Sequence, residues 1–133
     1  MKKKCLNEWA ADIHENAVKH GWWDEERSFG EIVALCHSEL SEALEEVRNK
    51  RPLFWFERQD SISASFGEHD TDICTDIRLL KGEKPEGIAV EMIDCLIRIL
   101  DWCGKEGVDI DAILSVKHAY NKTRPYRHGN KAL

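Results

Sequence analysis

The sequence predicts an all-α protein, a four-helix bundle-like arrangement with one long interruption between its second and third helices. Three observations predict it. Four segments carry apolar residues at helical spacing; Ser, Asp, Gly and Pro stand where helices should start and stop; and no segment reads convincingly as a strand. At 133 residues the chain has the usual size of one domain spanning 1–133, and it is long enough to bury its own core.

Leu6, Trp9, Ala10, Ile13 and Ala17 place a first helix over residues 5–20, with Gly21 as its stop. Trp22, Trp23 and an acidic pair follow in a short connection. Ser28-Phe-Gly-Glu31 has the form of a capping box, in which Ser28 and Glu31 satisfy each other's free backbone donors. A second helix runs from there to about residue 49, with Val33, Cys36, Leu40, Ala43, Leu44 and Val47 as its apolar stripe. Residues 52–84 form the interruption. It opens on the aromatic run Leu53-Phe-Trp-Phe56, and Asp72 to Lys81 has the spacing of a short helix ended by Gly82. Pro85 suits the first turn of a third helix over residues 86–103, with Gly104 and Gly107 ending it. Asp109 or Asp111 caps a fourth helix, which stops near Arg124 because the following Pro125 disfavours helical backbone before it.

The formal net charge of −6 argues against a partner that is a nucleic-acid polymer gripped by a basic face. A single nucleotide is still compatible, because a bound divalent metal supplies positive charge. Five cysteines without a C-x-x-C pair read as free thiols in a reducing compartment. The N-terminal lysines lack the apolar segment of a secretory signal, and no apolar run approaches a membrane span. The expectation is a soluble, cytoplasmic protein without a membrane partner.

Chemistry enters on the third helix. It is apolar almost all round, yet Glu91, Asp94, Arg98 and Asp101 recur at steps of three, four and three and share one face. Such a stripe is either the solvated side of the helix or the wall of a polar cleft. The second helix favours the cleft: Glu39 and Glu42 have the same i, i+3 spacing, with Glu46 a turn further on. If the two helices pack antiparallel, the pairs face each other across an ordinary helix contact of about 8–10 Å. Two like charges at 4 Å repel by about 4 kcal/mol at an effective dielectric of 20. A hard divalent cation removes that cost, and Mg²⁺ favours carboxylate oxygens. Glu39, Glu42, Glu91 and Asp94 are therefore the expected metal ligands and catalytic residues, with Mg²⁺ as the cofactor and Mn²⁺ as a substitute.

Mg²⁺ on carboxylates, with positions left for water, is the usual device for phosphate-ester chemistry. Cationic groups should then approach the phosphates from another side. Lys117, Asn121 and Arg124 fall at i, i+4 and i+7 on the fourth helix, and Lys131 adds charge in the tail. Arg124 suits paired hydrogen bonds to phosphate, whereas Lys117 acts as a point charge.

Glu39-Leu-Ser-Glu42, Glu91-Met-Ile-Asp94 and the closing Lys117-x-x-x-Asn121-x-x-Arg124-Pro-Tyr-Arg-His-Gly-Asn-Lys131 resemble the MazG-like all-α nucleoside triphosphate pyrophosphohydrolases over residues 8–50 and 85–131. The resemblance implies a MazG-type fold and a nucleoside triphosphate substrate, cleaved between its α- and β-phosphates to give a nucleoside monophosphate and pyrophosphate. It implies metal binding by the four carboxylates and phosphate contacts from Lys117, Asn121 and Arg124. It further implies base contacts from His14 and from Trp22 or Trp23, and a homodimer or homotetramer. One departure stands out: about 48 residues separate Glu42 from Glu91, far more than in most of the family. The 52–84 insertion has three open roles: a lid, a base-selecting element or an interface segment.

Two other classes compete. A di-iron carboxylate bundle needs Glu-x-x-His on two helices, and no Glu in this chain has a His three residues on. A non-catalytic, oligomeric helical-bundle protein with a regulatory or nucleotide-binding role is the stronger alternative.

Overall fold

A computed structural model of the chain describes residues 2–57, 64–65 and 84–127. Among them are four helices, α1 (Leu6–Lys19), α2 (Phe29–Arg48), α3 (Ile88–Glu106) and α4 (Ile110–Thr123). Three short strands join them, β1 (Trp55–Glu57), β2 (Ala64–Ser65) and β3 (Lys84–Glu86). The mainly helical expectation holds. The Asp72–Lys81 segment, for which a short helix is predicted, lies outside the described residues.

The helix boundaries follow local chemistry. Ser28 and Glu31 form the predicted capping box: Ser28 Oγ accepts from Glu31 N at 3.2 Å, and Ser28 N donates to Glu31 Oε2 at 2.7 Å. Asp109, not Asp111, caps α4 by accepting from Ala112 N. Gly21 and Gly107 follow α1 and α3 with positive φ, as helix stops do.

The interruption contains strands that alternation did not reveal. The aromatic run supplies β1, which lies between β2 and β3 in an antiparallel sheet. Trp55 pairs with Glu86, Phe56 with Pro85 and Glu57 with Lys84. Pro85 therefore belongs to β3 rather than to the first turn of α3. An edge strand tolerates a residue without an N–H donor.

Gly104 also differs from expectation. It lies inside α3, because a Cβ there would stand 2.6 Å from Ala10 O and 2.8 Å from His14 Cβ. The missing side chain permits close contact between α1 and the last turns of α3.

The chain divides into two compact units, Glu26–Ile99 and Met1–Glu25 with Leu100–Leu133. In the second of these, Asn7 ties the starts of α1 and α4 together: its Nδ2 donates to Asp109 and its Oδ1 accepts from Ile110 N at 2.7 Å. Asp111 accepts from Asn7 N at 3.0 Å. In the other unit, Phe56 is the most deeply buried side chain, and Trp55 Nε1 donates to Glu46 Oε2 at 3.0 Å, fastening β1 to α2.

The pattern of exposure departs in part from the usual amphipathic rule: Ile32, Ala43, Cys95, Leu100 and Cys103 are buried, but many larger apolar residues are not. On α3, Met92, Ile93, Leu96, Ile97 and Ile99 are exposed, while Glu91 is buried and Asp94, Arg98 and Asp101 are half-buried. On α2, Leu40, Leu44 and Val47 of the predicted stripe are exposed and Glu39 is buried. No residue of α4 is buried, and Ile113, Leu114 and Val116 face outward. Among the described residues, no helix is long and apolar enough to cross a membrane.

Candidate metal centre

The acids of α3 owe their position to the chain just before them. Gly87 has φ +115°, a conformation rarely open to other residues, and a Cβ there would lie 2.6 Å from Leu53 O. That carbonyl accepts from Ala89 N at 3.0 Å, so the start of β1 satisfies one of the free donors in the first turn of α3. Glu91 follows at once, its N–H bonded to Gly87 O. Glu39 is carried by the middle of α2, whose register the Ser28 cap sets.

Oxygens of Glu39, Glu91 and Asp94 all lie within 4.8 Å of one another. Glu39 and Glu91 are only 7% and 6% exposed, so water does little to screen them. Glu42, the fourth predicted ligand, is exposed but is hydrogen-bonded to Glu91. Burial, then the hydrogen bond and charge of Glu42 and the charge of Asp94, push the Glu91 carboxyl up to about 7. Burial and the charge of Glu39 raise Asp94 too, against the opposing pull of Arg98.

Arg98 is the member of this cluster that sequence reasoning left out. Its Nε donates to Glu39 Oε1 at 2.5 Å. The signal was present, since Arg98 lies one turn beyond Asp94 on the same stripe. A cation among expected metal ligands was read as part of the charged face rather than as their partner. Here it compensates one carboxylate of four.

This donor set suits a hard divalent ion. Every candidate ligand atom is a carboxylate oxygen, the donor type that hard divalent ions favour. The raised carboxyl of Glu91 reports the electrostatic cost that such an ion would relieve.

The remaining predicted residues lie in the other compact unit. His14 and Trp23 come together around Asp101, which accepts from His14 Nδ1 at 2.8 Å and from Trp23 Nε1 at 2.9 Å. Their rings meet edge to face at 5.7 Å, and Lys105 Nζ sits 4.8 Å from the Trp23 ring centre. Because a carboxylate only accepts, His14 presents its Nδ1–H to Asp101. Trp22 is half exposed. Lys117 and Asn121 stand exposed on α4, with Lys117 Nζ 5.1 Å from the Tyr120 ring centre. Arg124 is not on that helical face. The helix ends at Thr123, and Arg124 has extended backbone, as the following Pro125 requires. Lys131 lies outside the described residues.

The chain matches no protein-family model, and no curated protein or solved structure matches it significantly.

Proposed function

We propose that this protein is a Mg²⁺-dependent nucleoside triphosphate pyrophosphohydrolase of the MazG-like kind, releasing a nucleoside monophosphate and pyrophosphate. The observation that carries the reading is the convergence of Glu39, Glu91 and Asp94 oxygens within 4.8 Å in shielded surroundings. These three residues hold the cation, and Glu42 completes its ligand set or accepts a proton from the attacking water. When bound, Mg²⁺ supplies charge neutralisation at the phosphate oxygens and a more acidic water. Lys117, Asn121, Arg124 and Lys131 are assigned to the phosphates, and His14, Trp22 and Trp23 are the base contacts that the resemblance implies. Those assignments rest on the resemblance of the closing motif and the first helix. His14 and Trp23 serve such a role through the faces and atoms that Asp101 leaves free.

A homodimer or homotetramer belongs to the same proposal. Support comes from two sets of exposed apolar residues, Leu40, Leu44 and Val47 on α2 and Ile113, Leu114 and Val116 on α4, since exposed apolar patches mark interaction sites.

The rival, a non-catalytic oligomeric bundle, draws on one observation. Arg98 already neutralises Glu39, as a purely structural acid would be neutralised. Pyrophosphate release from a panel of common and damaged nucleoside and deoxynucleoside triphosphates, with Mg²⁺ and with chelator, separates the two. Metal-dependent release from any member supports the hydrolase. No release from all of them, with no stabilisation by Mg²⁺, supports the rival.

A further inference from the structure

A cavity of about 280 Å³ lies among β1, β3 and the first turns of α3. Phe54, Phe56, Pro85, Ala89 and Ile93 form most of its wall, and the wall is almost wholly carbon. Phe54 and Phe56, whose rings meet edge to face at 5.1 Å, both border the space. Among the lining residues Asp94 alone is charged, and Asp94 is also one of the three clustered carboxylates. The cavity therefore shares a side chain with the candidate metal centre.

We propose that this cavity, in place of the His14, Trp22 and Trp23 contacts that the resemblance implies, takes the base of the nucleotide whose phosphates are held at the Glu39–Glu91–Asp94 centre. The inference deepens the hydrolase reading and rests on it. Size supports the assignment: the volume is just under the roughly 300–1,000 Å³ of pockets that enclose whole ligands, so it suits one ring system. Chemistry supports it as well. A nucleotide is an anion joined to a flat ring, and here a cation-binding acid cluster adjoins an aromatic-walled space. The walls offer few hydrogen-bonding groups, so the ring is held by stacking and shape, and the four common bases should bind within a narrow range. The insertion then has a function, because Phe54 and Phe56 both come from it.

The test compares wild type with Phe54→Ala and Ile93→Trp. Ile93 is exposed, so the added ring fills the cavity mouth without displacing core packing. Calorimetry measures binding, with Mg²⁺ present, of inorganic tripolyphosphate and of the four common deoxynucleoside α,β-imidotriphosphates. Both variants should bind tripolyphosphate as wild type does and all four nucleotides about tenfold more weakly, the worth of one stacked base. Unchanged nucleotide binding places the base elsewhere and overturns the proposal while the phosphate site stands. An equal loss for tripolyphosphate also overturns it, since these residues would then only support the acid cluster. If wild type binds no tripolyphosphate, the hydrolase reading fails and the cavity assignment falls with it.

Discussion

Two regions served by the same helix treat their acids in opposite ways. Asp101, toward the end of α3, accepts from two donors, an indole N–H and an imidazole N–H. Glu91 and Asp94, nearer its start, lie among other acids, and the guanidinium of Arg98 bonds to Glu39 of that group. Both regions are shielded from water, so the difference lies in the partners. A satisfied buried carboxylate contributes to stability as a fixed acceptor. A cluster of mutually repelling carboxylates costs stability, and a folded protein retains that cost where the cluster has something to bind. The contrast teaches that a charged stripe on an apolar helix is not one feature. Its function changes within three turns, according to what faces each residue.

Breaking the contrast at the acid cluster should have the largest effect. Asp94→Asn or Glu91→Gln should lower pyrophosphate release by about a hundredfold or more, the scale of losing electrostatic stabilisation of the transition state. The same variants should unfold at a higher temperature than wild type in chelator, because like-charge repulsion is relieved. Near-normal turnover of either variant removes that residue from the centre.

A pH series sharpens the comparison next. Glu91 holds its proton to about pH 7 in the folded metal-free protein but only to about 4.5 when unfolded. Between those values the folded state binds more protons, so stability falls as pH rises from 4.5 to 7 and levels off above. The full span amounts to at most about 3 kcal/mol. Urea unfolding in chelator should show this decline, and saturating Mg²⁺ should flatten it. Stability that rises over the same range would contradict the account of Glu91.

At the satisfied end, Asp101→Ala strands a tryptophan N–H and an imidazole N–H, and should cost about 2–3 kcal/mol in denaturant unfolding. Its Mg²⁺ affinity should remain that of wild type. A smaller effect is expected from Gly87→Ala, about 1–2 kcal/mol of backbone strain and contact with Leu53 O. Metal affinity should weaken with it, because the first turn of α3 is displaced.

Much of this was legible before any coordinates. Ser28 with Glu31, Gly21, Asp109 and Pro125 punctuate the chain by local chemistry, and local chemistry survives folding. The two acidic pairs were readable for the same reason, since i, i+3 spacing on a helix is a local fact. What escaped depended on distant partners. Trp55 to Glu57 form a strand only because β3 lies beside them, and alternation is too short over three residues to announce it. Gly104 resembles a helix stop until α1 is known to lie against it. Arg98 became part of the centre only through Glu39, 59 residues away. The apolar faces of α2 and α3 were expected to point inward, as amphipathic helices normally do. Leu40, Leu44, Val47, Met92, Ile93 and Ile99 are exposed instead, while Ala43, Cys95 and Leu100 share the shielded side with Glu39 and Glu91.

The central claim is that the acids of α2 and the early turns of α3 bind a divalent cation, whereas Asp101 does not. Thermal unfolding of wild type, Asp94→Asn and Asp101→Asn, each in chelator and in saturating Mg²⁺, tests it most directly. The account predicts that Mg²⁺ raises the Tm of wild type and of Asp101→Asn by similar amounts and leaves Asp94→Asn unmoved. Equal Mg²⁺ shifts in all three proteins, or no shift in wild type, would contradict it.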